Sequence, residues 1–308
     1  MKHSVTITLV LIALFVVTQF TGLGLLSTSI STKTVENETV ANYQDTLLGP
    51  RPEASASEAV VILLVGVLIG TLILLGLIKL KQFRVWKAWF FIAVGVAVSV
   101  SLSAIFHQQW LAWVVGFVLA AWKIFKPNVF IHNLTEILTY SAIALIFVPL
   151  LHGQIIWVIV LLGIISIYDM IAVWKSKHMV SMAKFQTESK VFAGLFVPYG
   201  KEKGYPKVTG QVPVSDKKAS ASLSKGRHAI LGGGDLAFPL LFVGAAFERF
   251  LLLGLTSMAA FWLSAIVILG ATIALTLLFF LAEKDRFYPA MPFLTAGCLV
   301  GYLVAIII

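Results

Sequence analysis

Nine stretches of this chain are apolar for long enough to cross, or nearly cross, the hydrocarbon of a bilayer, and that repetition leaves few folds open. In lipid no water is at hand for backbone N–H and C=O groups, so each stretch has to be a helix packed among others. The stretches are Val5 to Ile30, Ala59 to Ile78, Ala88 to Phe106, Trp110 to Phe125, Ile137 to Leu151, Ile155 to Trp174, Ile230 to Phe247, Phe250 to Ala282 and Tyr288 to Ile308. With 59% hydrophobic residues, 12% charged residues and a mean hydropathy of +0.96, a soluble domain is excluded. The expected fold is an all-α protein of the cell membrane with nine transmembrane helices, in contact with lipid on many sides. Val5 to Ile30 follows Lys2 as a secretory signal would. It is about twice as long as such an apolar region and lacks a small-x-small cleavage site, so it is read as a retained helix.

The net charge of +9 would fit a nucleic-acid partner in a soluble protein, but here the basic residues sort by side of the membrane. With the N-terminus inside, 20 of the 23 Lys and Arg are cytoplasmic and only Lys33, Arg51 and Arg249 are external. That asymmetry predicts nine crossings, a cytoplasmic N-terminus and an external C-terminus, and no nucleic-acid role. Three parts follow: residues 1–178 with six helices, 179–228 as a basic cytoplasmic loop, and 229–308 with three helices. Within the basic loop, Val212 to Lys225 is rich in Ser, Ala and Lys and is expected to be disordered. Val191 to Tyr199 is apolar but too short to span, which places it on the membrane surface or beside a neighbouring helix. Ser31 to Glu58 is polar, carries the sequon Asn37-Glu38-Thr39 and reads as an external loop. The single Cys298 excludes an intrachain disulfide.

Of the 14 acidic residues, 12 are expected in loops or at span ends, leaving Asp169 in the sixth span and Asp235 in the seventh. A carboxylate inside the membrane costs several kcal/mol and marks a functional site. Five residues from the cytoplasmic end of its span, each aspartate should lie roughly 7 to 8 Å below the same surface. Two such groups on facing helices would share a proton, as aspartyl proteolysis requires: one activates water while the other donates to the scissile carbonyl. A proton or cation pathway would use the same pair. Gly232, Gly233 and Gly234 beside Asp235 cost helix stability and permit close backbone approach, by a packed helix or by an extended substrate. Pro289-Ala290-Met291-Pro292 reads either as a helix start or as an irregular segment lining a cavity. There is no His-Glu-x-x-His or Gly-x-Ser-x-Gly, and His132 with Glu136 offers two possible metal ligands and no third. No metal or cofactor is expected. The six histidines are all placed in loops or at span ends.

Tyr168-Asp169, the Gly-x-Gly-Asp pattern in Gly232-Gly233-Gly234-Asp235, and Pro289-Ala290-Met291-Pro292 stand in this order across nine spans. In these features the chain resembles the presenilin and signal peptide peptidase family of intramembrane aspartyl proteases. The resemblance implies Asp169 and Asp235 as a catalytic dyad. It also implies Tyr168, Gly232, Gly233, Gly234, Pro289, Ala290, Met291 and Pro292 as its support, with Met291 where the family pattern has leucine. The substrates implied are transmembrane helices of other proteins. The orientation looks like presenilin, the compact chain looks like a microbial homologue acting alone, and association into a homo-oligomer is compatible with it. A prepilin-peptidase-like enzyme, which also uses Gly-x-Gly-Asp but cuts near the membrane surface, is the other protease reading.

Overall fold

The structure, a computed structural model, describes residues 5–35, 38–51, 54–80, 82–106, 108–176, 193–198, 228–282 and 288–308. Asn37 of the sequon and the Ser- and Lys-rich stretch 212–225 lie outside the described residues. The described chain forms α1 (Val5–Ser29), α2 (Ala56–Lys79), α3 (Phe83–Ser103), α4 (Gln109–Phe125), α5 (Val129–Phe147), α6 (Ile155–Ile171), α7 (Gly233–Leu252), α8 (Ser257–Leu281) and α9 (Met291–Ile307). Two antiparallel hairpins accompany them, β1 (Ile30–Val35) with β2 (Glu38–Tyr43) and β3 (Gly194–Pro198) with β4 (His228–Gly232). Six of these segments are long and apolar enough to cross a membrane: α1, α2, α3, Val129–Leu151, Ile155–Trp174 and α8. α4 and α9 are apolar but only 17 residues long, about 25 Å at 1.5 Å per residue.

Helix starts follow local chemistry. Ser55 caps α2 through a reciprocal box with Glu58, Asn128 caps α5 by accepting from the Phe130 N–H, and Thr256 caps α8. α7 is the core element: Leu240, Leu241, Phe242, Val243, Ala245, Ala246 and Phe247 are all fully buried. α1, α5, α8 and α9 surround it, and α2 lies at the periphery against α6 and α3. The crossing of α8 and α9 is the tightest, because Gly270, Gly297 and Gly301 leave backbone against backbone. A Cβ on Gly297 would lie 2.6 Å from the Gly270 carbonyl oxygen.

Several boundaries differ from the sequence expectation. α5 begins at Val129, eight residues before Ile137, because the polar face of His132, Asn133, Thr135 and Glu136 lowers hydropathy while its partners keep it buried. His132 is therefore inside a span and fully buried, not at a loop. α7 begins at Gly233, since Ile230 to Gly232 is strand rather than helix, which makes Asp235 the third helical residue. At its other end Glu248 and Arg249 continue the helix instead of turning, and the turn comes after Leu252. Asp169 and Asp235 are thus not the only acids at depth: Glu136 and Glu248 are each 1% exposed, each held by a specific partner. The loop expected to be external contains the β1–β2 hairpin, and Gly194 to Pro198 is a strand lying beside α5, the second of the two placements expected for that segment.

Glu248 accepts a hydrogen bond from Tyr43 of β2, which fastens the hairpin to the far end of α7. Burial and the Glu248 carboxylate hold the Tyr43 hydroxyl far above its ordinary range, so it remains a donor across physiological pH. Arg51 covers the same ring at 5.1 Å from its centroid. Tyr43→Phe leaves a buried carboxyl group without that donor and should lower stability by roughly 1–3 kcal/mol, read as an earlier thermal unfolding transition in detergent.

Candidate active site

Asp169 lies in the last turn of α6, where regular helix passes into a wider π-type turn over Ala172–Ser176. α9 faces it. The first N–H groups of a helix have no partner within that helix, and Pro292 at the start of α9 supplies none. The Met291 N–H, one of these groups, donates to Asp169 Oδ2 at 3.1 Å. One turn deeper, the Ser166 and Thr295 hydroxyls meet at 2.9 Å, so α6 and α9 are joined by two successive rungs. Pro289 and Met291 are buried, while Ala290 and Pro292 are partly exposed.

Asp235 is presented by the passage from β4 into α7. Gly232 is the N-cap residue, in extended backbone, and Asp235 falls in the first helical turn, where the helix dipole favours negative charge. Gly233 packs directly on Tyr140 of α5: a Cβ there would lie 2.5 Å from the tyrosine hydroxyl. Gly232 sits against Asp235 itself, an added Cβ falling 3.2 Å from Oδ2, and Gly234 is exposed. Pro239, four residues on, has no N–H to give to the Asp235 carbonyl. Gln19 of α1, fully buried, donates from Nε2 to the next carbonyl, that of Leu236, at 3.0 Å.

α6, α7 and α9 pack against one another, with Asp169 in the last turn of α6 and Asp235 in the first turn of α7 at the same end of the bundle. Both are partly exposed. The structure thus brings together Asp169, Asp235, Gly232, Gly233 and Met291. Tyr168 differs: it is 42% exposed on the outer side of α6.

A second polar group adjoins the first and was not legible as a site in the sequence. Glu136 accepts from the Lys123 ammonium of α4, from the Tyr140 hydroxyl, and from the Gly194 N–H of β3 at 2.7 Å. His132 Nε2 meets the Gly194 carbonyl at 2.9 Å. Asn133 donates to the Phe196 carbonyl at 2.8 Å and accepts from the Phe196 N–H at 2.9 Å. Among the described residues no three His, Cys, Asp or Glu side chains gather as metal ligands. The signal available in the sequence was spacing: 132, 133, 136 and 140 share one helical face.

β3 needs a glycine at its start. Gly194 has φ +141°, and a Cβ there would lie 2.4 Å from the Leu231 carbonyl oxygen of β4. Because Gly194 and Phe196 turn their N–H and C=O groups to α5, their antiparallel partners Gly232 and Ile230 turn theirs the other way. α5 therefore seals one edge of the hairpin and leaves the β4 edge facing outward.

A family model described as signal-peptide peptidase, presenilin aspartyl protease matches residues 12–308. Two solved structures resemble the chain over nearly its whole length. One, described as a presenilin family intramembrane aspartate protease in a C222 space group, shares 17% identity with a TM-score of 0.59, covering 97% of this chain and 98% of that one. The other, described in the same words in a P2 space group, shares 16% identity with a TM-score of 0.54, covering 96% of each. A search of curated proteins finds no match.

Proposed function

This chain belongs to the signal-peptide peptidase and presenilin family of aspartyl proteases, and on that premise we propose that it hydrolyses peptide bonds within transmembrane helices of other proteins, with Asp169 and Asp235 as its acid and base. What supports the reading is the placing of these two partly exposed aspartates, on the packed helices α6 and α7, at one end of the bundle. One carboxylate takes a proton from water as the oxygen attacks the scissile carbonyl. The other, protonated, donates to the carbonyl oxygen, giving a tetrahedral diol. Collapse of the diol re-forms C=O, breaks the C–N bond and sends a proton to the departing amine. The Met291 N–H orients Asp169, and Gly233 lets α7 approach Tyr140 closely enough to bring Asp235 into the site.

A substrate helix shields its own peptide bonds and must unwind before attack, and the unwound backbone needs new hydrogen-bond partners in lipid. The outward edge of β4, three residues before Asp235, is suited to supply them by strand addition. Side chains at the glycine stretch would obstruct such an extended segment. Nine crossings with the N-terminus inside would put this end of the bundle at the cytoplasmic face, where water is close.

The test is cleavage of a model transmembrane substrate by the purified protein, with the cut located by mass spectrometry. A cut inside the hydrophobic stretch supports the proposal. A cut at the membrane edge would favour the prepilin-peptidase type, and cation flux through liposomes without proteolysis would overturn the enzyme reading. Ile230→Pro, which removes one outward donor of β4 and keeps its side towards β3, should raise KM several-fold, about the loss of one or two backbone hydrogen bonds, with kcat little changed.

A further inference from the structure

The Lys123–Glu136 pair is withdrawn from water, at 2% and 1% exposure, with the ammonium 5.0 Å from the Phe90 ring centroid. Burying such a pair contributes little net stability, and apolar residues of similar size commonly do as well. Its position supplies another reason for it. One oxygen of Glu136 takes both the Gly194 N–H, which begins the hairpin, and the Tyr140 hydroxyl, which rests against Gly233. The other takes the Lys123 ammonium. A single carboxylate thus touches the strand paired with β4 and, through one tyrosine, the turn that carries Asp235.

We infer that Glu136 is a positioning residue for the proposed reaction, holding the substrate-receiving hairpin and the Asp235 turn in fixed relation to each other, with Lys123 bound to its other oxygen and Tyr140 relaying it to Gly233. The inference rests on the proposed roles of Asp235 and the β4 edge. It separates two tasks along one helix. Tyr140 acts on the turn that bears Asp235, whereas Asn133 bonds only β3, at Phe196.

The experiment compares the full-length protein with four variants in detergent, measuring kcat and KM on one transmembrane peptide and amide exchange over residues 193–198. Tyr140→Phe keeps the ring on Gly233 and removes only the hydroxyl, so kcat should fall about tenfold with KM within about twofold. Asn133→Ala should raise KM several-fold, about the effect of losing two hydrogen bonds, and leave kcat near its starting value. Glu136→Leu, which removes the acceptor of both the Gly194 N–H and the Tyr140 hydroxyl, should show both defects together with faster exchange over 193–198, which Tyr140→Phe should not show. Because Glu136→Leu strands a buried ammonium, the double variant Lys123→Met/Glu136→Leu is included. It should recover thermal stability and retain both kinetic defects. Recovery of kcat and KM along with stability would mean that the pair only holds helices together and would overturn the inference. Wild-type kinetics in Tyr140→Phe would do the same. Should Asp235→Ala still cleave, the protease assignment of that residue fails instead, a result that none of these four variants would imitate.

Discussion

Asp169→Ala and Asp235→Ala should each abolish cleavage of a transmembrane substrate, a loss of about 10²–10⁴-fold or more, while the protein still inserts and folds. The magnitude follows from general acid–base catalysis, in which each group carries a proton at the moment the bond to water forms. The two are expected to act as one unit, so the double variant should be no worse than either single one. Asp169→Asn and Asp235→Asn provide the sharper form of the test. Asparagine keeps the shape and still accepts at one oxygen, so the Met291 N–H retains a partner at residue 169. It can neither take a proton from water nor give one to a carbonyl at neutral pH. If either asparagine variant cleaves as well as the parent, a two-carboxylate mechanism is ruled out. Both aspartates are partly exposed, so neither truncation opens a sealed cavity, and loss of activity would not be a consequence of unfolding.

Gly297→Leu should prevent stable packing of the last helix, and Gly297→Ala should destabilise the protein by roughly 1–3 kcal/mol. A Cβ at this position meets the Gly270 carbonyl oxygen at 2.6 Å, the Ala274 Cβ at 2.6 Å and the Ala271 Cα at 3.0 Å, and two of these three are backbone atoms that cannot rotate away. The helices would have to separate, and α9 carries Met291 at its start. A shifted α9 therefore weakens the hydrogen bond to Asp169 as well as the fold, so activity should fall further than thermal stability alone predicts. Gly66→Ala on α2 is the control, because nothing lies within 4 Å of the added methyl. It should leave stability within about 1 kcal/mol and activity unchanged. Equal behaviour of the two alanine variants would contradict the close crossing of α8 and α9.

The apolar runs made the helical membrane fold legible, because a bilayer accepts little else, and the three short motifs pointed to the family. Residues with opposed signals were misjudged. Hydropathy alone placed His132, Lys123 and Glu136 at span margins, since each lowers a local average. Their burial depends on partners far away in sequence, 58 residues in the case of Gly194 and Glu136. Ile230 and Leu231 were read as helix because an apolar run of that length carries no period, and only pairing with Leu195 and Phe196 makes them a strand. Glu248 looked like a turn residue beside Arg249, and the tyrosine that satisfies it lies 205 residues earlier. The aspartates stood out because each lies inside an apolar run, five residues from its end.

α7 is anchored at both extremities. Gln19 and Tyr140 grip the end that bears Asp235, and the Tyr43–Glu248 bond grips the other. A member tethered top and bottom behaves as a doorpost. Asp169 is linked to α9 rather than to α7, so the two aspartates belong to separately held frames, α6 with α9 for one and α7 with α1 and α5 for the other.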